Sequence, residues 1–264
     1  MLFVGESSVS TCSGVTKGLW NTTSEGFEFS FEVSETLKTA SISLSGPQVS
    51  GTWSLSSFAP PRTPDGLIYP SPKASVELAP LIYWNEAIPA GNVQTSFTLA
   101  GTPFSFTGIG GHDRNWAPYI WDYIAEHWYW VRIITGPYTL VYWIWTSYDG
   151  QTYTSAFVSE NGVEVFGTQN GEDVTFTLTY GGKVHGSFKD ESTGFVVELE
   201  DKSCGKKWKF EIEHANIAFE APAGNNDAYS RFVNTASGGE VGGKVWNGVG
   251  GSEQNVMQEV YPMA

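Results

Sequence analysis

Gly26-Phe-Glu-Phe-Ser-Phe-Glu-Val-Ser34 alternates without a break. Phe27, Phe29, Phe31 and Val33 fall on one face, and Glu28, Ser30, Glu32 and Ser34 on the other. Successive side chains of an extended backbone point to opposite sides, so a period of two marks a half-buried β-strand. The same pattern recurs outward from this stretch. Residues 38–44 and 49–55 follow across Gly46-Pro47. Val174, Phe176, Leu178 and Tyr180 alternate with threonines, and Gly181-Gly182 predicts a tight turn into a strand over 183–189. Residues 153–159 pair by pattern with 163–167, and 195–200 with 207–214. The Gly-rich stretch 223–251 predicts one short helix over 226–234 before a last strand near 256–261.

Many short strands at spacings of about 8–12 residues predict an all-β, antiparallel sandwich or barrel. Ala59-Pro-Pro-Arg-Thr-Pro-Asp-Gly66 and Tyr69-Pro-Ser-Pro72 cannot be regular strand, because proline removes ladder donors. This loop predicts a boundary between two units, 1–75 and 76–264.

Composition narrows the partners. The 264 residues carry a net charge of −14 and no basic block, which argues against a nucleic-acid partner. No apolar run approaches the roughly 20 residues of a membrane helix. Aromatics are 15% and charged residues 16%, the latter against about 25% in ordinary chains, so the fold rests on buried rings. Cys12 and Cys204 fit either one long-range disulfide or two buried thiols. With the sequon Asn21-Thr-Thr23 they favour the secretory pathway slightly over the cytoplasm.

Seven of the 11 tryptophans lie between Trp84 and Trp145. Glu126-His-Trp-Tyr-Trp-Val-Arg-Ile133 and Tyr138-Thr-Leu-Val-Tyr-Trp-Ile-Trp145 form a hairpin across Gly136-Pro137. Trp128, Trp130 and Arg132 share one face of its first arm. Trp143 and Trp145 share a face of the second, and Tyr138, Leu140, Tyr142 and Ile144 the opposite one. Both faces are apolar, so the hairpin is buried on both sides. Arg132 among tryptophans needs a partner, and Asp113 and Glu126 are the candidates. That pair is either a structural pin or a donor aimed at a ligand carbonyl. The polar run Gly110-Gly-His-Asp-Arg-Asn-Trp116 reads as a tight turn, with His112 or Arg114 at a pocket rim as the alternative.

The sequence contains no nucleophile elbow, no phosphate-binding loop and no Cys or His pair at zinc spacing. Asp113 and Glu126 leave a glycosidase pair open, and surface tryptophans leave a carbohydrate-binding sandwich open.

His112-Asp113-Arg114-Asn115-Trp116, Trp128-x-Trp130-x-Arg132 and Gly136-Pro137-Tyr138 together resemble the lipocalin-like pericyclases of fungal secondary metabolism. These are Diels–Alderases and hetero-Diels–Alderases, distantly related to carotenoid hydratases. The resemblance covers the chain from about residue 26. It implies two lipocalin-like barrels, no cofactor, and a [4+2] cycloaddition of an apolar polyketide or terpenoid intermediate. It implies Arg132, Arg114, His112 or Lys209 as hydrogen-bond donor. Trp116, Tyr119, Trp121, Trp128, Trp130, Trp143 and Trp145 are then substrate walls, with Asp113 and Glu126 structural. Against that family the first barrel looks short of N-terminal strands, and a second chain or separate N-terminal fragment is expected to complete it. The rival readings are a non-catalytic carrier of the same hydrophobic ligand and a carbohydrate-active protein.

Overall fold

A computed structural model describes the chain except for residues 1–5, 13–14, 23–25, 70, 188–189, 224–226 and 257–264. It is almost entirely antiparallel β-sheet, and its described helices are two single 3₁₀ turns, Trp121–Tyr123 and Gly171–Asp173. No described helix is long and apolar enough to cross a membrane. Two compact units emerge: residues 1–61 with 87–113, and 62–86 with 114–264. The chain therefore passes between units three times, where the sequence pattern suggested one boundary near residue 75.

The first unit holds β1 (Glu6–Cys12), β2 (Val15–Thr22), β3 (Phe27–Val33), β4 (Thr39–Ser45) and β5 (Val49–Ser57) as a meander. β5 pairs with the later part of β7 (Ile82–Leu99), and β8 (Thr102–Trp116) pairs with β7 in turn. Phe27, Phe29, Phe31 and Val33 are the more buried side of β3, as the alternation requires.

The second unit begins with a loop and β6 (Glu77–Ala79), which pairs with the first residues of β7. It continues with β9 (Ala125–Thr135), β10 (Tyr138–Ser147), β11 (Thr152–Glu160), β12 (Val163–Thr168) and β13 (Val174–Thr179). β14 (Gly194–Asp201), β15 (Lys206–Ala223), β16 (Asp227–Glu240) and β17 (Trp246–Val256) complete it. The sheet runs β12-β11-β10-β9-β17-β16-β15-β14-β13. All nine strands send side chains into one core, among them Tyr142, Phe195, Trp208 and Phe210, each at most 1% exposed. A flat sheet cannot converge nine strands on one core, so this sheet curls. Its interior is filled by rings: Phe176 lies 5.1–5.2 Å from Tyr129, Tyr142 and Phe195.

Four expectations need correction. The described part of the expected helix, residues 227–234, is strand: in β16, Phe232, Asn234 and Ala236 are buried and the residues between them exposed, a period of two. Residues 183–187 are irregular, and β13 pairs instead with β14. The Gly-rich stretch is largely strand, most of it β16 with the first residues of β17, and residues 257–261 of the expected last strand lie outside the described residues. Gly248 and Gly250 let β17 and β9 approach closely, since a Cβ there would stand 1.9 Å from Ile134 O and 2.0 Å from Arg132 O. Finally, Cys204 is an exposed free thiol whose S–H donates to Asp201 at 3.1 Å. The side chains of Cys12 and Asn21 lie outside the described residues.

Candidate functional site

The hairpin register sets the site. Across β9 and β10, Trp143 stands opposite Trp130, Trp145 opposite Trp128, and Val141 opposite Arg132. Directly opposed residues share a face, so Trp128, Trp130, Arg132, Trp143 and Trp145 all project from the side away from the core. β17 continues the rows with Glu253 opposite Trp130 and Asn255 opposite Trp128. β16 adds Arg231 opposite Glu253 and Tyr229 opposite Asn255. An aromatic wall thus runs into a charged strip on one sheet face.

Arg132 is the cation of the wall. Its guanidinium lies 4.8 Å from the Trp130 ring centroid, and one N–H donates to Glu86 Oε2 at 2.5 Å. The side chain is 11% exposed and that of Glu86 0%. The partner is neither Asp113 nor Glu126, as the sequence suggested; it comes from β7, 46 residues away. A desolvated pair of this kind is costly to break from one side.

The tryptophans pack on one another. Trp121 meets Trp128 edge-on at 4.8 Å, Trp128 stacks on Trp145 at 5.5 Å, and Trp143 meets Trp84 edge-on at 5.1 Å. Trp128, Trp143 and Trp145 are buried with Leu78, Ile82 and Ile124, while Trp121 and Trp130 are half-buried. Trp145 donates its indole N–H to Ser147 Oγ at 3.2 Å. Among the described residues, nothing accepts a hydrogen bond from the buried indole N–H groups of Trp128, Trp130 and Trp143. Buried indoles ordinarily find one, so this face carries unused donors beside a fixed guanidinium.

In the charged strip Arg231 pairs with Glu253 at 2.9 Å and donates from Nε to the Tyr229 hydroxyl. Tyr229 lies 5.9 Å from Trp128. Burial, helped by the Glu253 charge, pushes the Tyr229 phenol far above its ordinary range, so it stays a neutral O–H.

The other expected residues are dispersed. His112 and Asp113 lie in the first unit, at the end of β8 and not in a turn, with His112 edge-on to Phe31 at 5.0 Å. Arg114 is half-buried; Trp116 stacks on Tyr83 at 5.8 Å and, like Tyr119, is exposed. Glu126 stands 3.9 Å from His127. Lys209 is exposed and paired with Glu211 at 3.0 Å. It faces Gly239, six residues along β16 from Val233, the position in register with Gly251 and Arg132, roughly 20 Å at strand rise, so the fold does not bring it to Arg132. Sequence reasoning missed Glu86, Tyr229, Arg231 and Glu253. Glu86 had one signal: a carboxylate inside Ile82-Tyr-Trp-Asn-Glu-Ala-Ile88 is out of place unless paired.

Residues 1–258 match the family model described as Diels-Alderase-like. The chain belongs to that family. It is 33% identical over 263 residues to the Diels-Alderase phmD of Phaeosphaeria nodorum, covering 97% of this chain and 73% of that protein. It is 35% identical over 267 residues to the Diels-Alderase ffsF of Aspergillus flavipes, covering 98% of this chain but 64% of that one. The crystal structure of CghA with Sch210972 superposes with a TM-score of 0.82 over 95% of this chain and 74% of that one, at 22% identity, a likeness of fold. The chain is thus shorter than the relatives it matches.

Proposed function

We propose that the chain catalyses a [4+2] cycloaddition, Diels–Alder or hetero-Diels–Alder, of an apolar polyketide or terpenoid intermediate on the Trp–Arg132 face. The observation that carries this is Arg132, held by Glu86 over Trp130 in a tryptophan wall. A cycloaddition redistributes six π electrons into two σ bonds and one π bond, with no proton, leaving group or redox partner. The protein's task is to hold diene and dienophile in reactive geometry, where effective molarities are large. The flat indoles of the half-buried Trp121 and Trp130 suit that task, with Trp128, Trp143 and Trp145 buried behind them. A guanidinium carries five N–H donors in a rigid fork, so fixing one of them on Glu86 fixes the direction of the rest. Aimed at a carbonyl conjugated to the dienophile, such a donor stabilises the charge that accumulates there in the transition state. The N–H of the half-buried Trp130 is a further donor on the same face. No cofactor enters this scheme.

The filled interior of the nine-stranded sheet supports catalysis on this outer face over carriage of a ligand inside. We read that sheet as one lipocalin-like barrel and the first unit as part of another. Phe104, Phe106 and Ile109 of β8 are exposed, which suits a covering strand from a second chain or fragment; sedimentation of this chain as a stable, monodisperse monomer would count against such a cover. The test of function is turnover of a synthetic linear polyene bearing a conjugated diene and an α,β-unsaturated ketone. Cyclisation above the uncatalysed rate is expected. Loss of the donor in Arg132→Met lowers it by about one to two orders of magnitude, from a charged hydrogen bond of roughly 1.5–3 kcal/mol. Binding without turnover would make the protein a carrier, and selective binding to a glycan panel would make it a carbohydrate-binding protein.

A further inference from the structure

Arg62 is 1% exposed although it lies in an irregular stretch. Its N–H donates to Glu86 O at 2.9 Å, and its carbonyl accepts the Glu86 N–H at 2.9 Å. This reciprocal bridge lies outside the named strand pairings. The Arg62 guanidinium forms an ion pair with Glu164 of β12, donates to Gly66 O at 3.4 Å, and lies 5.8 Å from the Phe157 ring of β11. Ser155 of β11 donates to Pro64 O at 2.7 Å. A Cβ on Gly167 would come 2.5 Å from Glu164 Oε1 and 3.2 Å from Gly66 Cα, so loop and strand meet as closely as glycines permit.

These contacts form one line. β12 holds Arg62 through Glu164, Arg62 holds the Glu86 backbone, and the Glu86 carboxylate holds Arg132. We propose that Arg62 and Glu164 are positioning residues that set the direction of Arg132 through Glu86. This rests on Arg132 as the donor of the proposed function. A group fixed at one end only swings with its partner's backbone, and an error of about 1 Å in a reacting geometry is enough to cost roughly a hundredfold in rate. Among the described residues Glu164 makes no hydrogen bond, ion pair or ring contact with the tryptophan wall, and an Arg132→Met background separates the Glu86 route from packing through Phe157. Burial raises the Glu164 carboxyl and lowers the Arg62 guanidinium from their ordinary values, each opposed by its partner, so both depend on the pairing to stay charged.

The test needs no substrate for its first readout. The indole N–H resonance of Trp130, identified by Trp130→Phe, reports the guanidinium above its ring. Glu164→Gln keeps the shape and removes the charge. It is expected to shift that resonance, as Glu86→Gln does, and to add no shift in an Arg132→Met background. With the linear polyene ketone as probe, Glu164→Gln lowers turnover roughly tenfold with KM nearly unchanged, and again adds nothing to Arg132→Met. Gly167→Ala, which displaces the Glu164 carboxylate, gives the same pattern and serves if Glu164→Gln does not fold. A Trp130 resonance unmoved by Glu164→Gln and Gly167→Ala, or effects additive with Arg132→Met, would overturn the inference. Coupled resonances in a protein that does not cyclise the probe would uphold the positioning line and refute the pericyclase reading.

Discussion

At the residue scale the Arg132–Glu86 pair separates stability from chemistry. Arg132→Met takes the cation away from a carboxylate that is 0% exposed. Removing one partner of a buried pair costs about 3–5 kcal/mol, whereas replacing both often costs little. Arg132→Met is therefore expected to unfold at markedly lower urea, and Glu86→Gln added to it to recover most of the loss without recovering turnover. Urea midpoints beside cyclisation rates check both halves. The tryptophans divide in the same way. Trp143 is 1% exposed and Trp116 45%. Trp143→Ala should cost about 3–5 kcal/mol as a core truncation, and Trp116→Ala under about 1 kcal/mol. Equal melting losses for the two would show that the wall does not pack as described.

At the element scale, legibility follows local pattern. β3 and β13 show period-two alternation, β9 and β10 show apolar runs turned by Gly136-Pro137, and each reads as a strand from its residues alone. β16 misleads because Ala, Asn and Ser dilute its apolar face, leaving Phe232 and Ala236 to carry a signal that neighbouring strands decide. β17 misleads because Gly248 and Gly250 look like loop residues, yet they serve a long-range strand contact that sequence does not display. The same limit hides Glu86, whose contacts with Arg62 and Arg132 join residues far apart in the chain. The tryptophan face is legible because it lies within one hairpin; the partner of Arg132 is not, because it lies in another element. A Cβ on Gly250 would stand 2.0 Å from Arg132 O and 2.7 Å from Ile133 Cα, so Gly250→Ala must push β17 from β9 beneath Arg132. Overpacking of this kind costs about 1–3 kcal/mol, and the displaced β9 backbone should also slow cyclisation. A melting temperature and turnover equal to wild type would show that the two strands are not held this tightly.

For the whole molecule, two electrostatic terms oppose each other as pH falls, and their magnitudes decide the outcome. The chain carries −14 with a pI near 4.6, so acidification relieves self-repulsion and favours the compact state. His214 acts the other way. It is 2% exposed in the second unit's core, stacked 3.7 Å from Phe232. Burial lowers its pKa from 6.5 to about 4, and the nearby Asp190 charge and Ser192 backbone only partly offset this. A histidine whose pKa falls on folding binds its proton more readily unfolded. Stability is therefore full above 6.5 and lost as pH drops towards 4, by about 2 kcal/mol between pH 7 and pH 5. Burial also lowers His127, which adds in the same direction. Surface repulsion is screened within about 8 Å at physiological salt, whereas the buried imidazole is not. At or above that salt the histidine term should win: wild-type stability falls from pH 7 to pH 5, and His214→Gln, which cannot titrate, flattens most of the slope whatever its own cost at pH 7. At low salt the decline should be shallower, because relief of repulsion is then larger. Urea unfolding at both pH values and two ionic strengths measures the four slopes. A wild-type protein as stable at pH 5 as at pH 7 in high salt, or a His214→Gln variant with an unchanged slope, would show that His214 is not the neutral core residue its surroundings require.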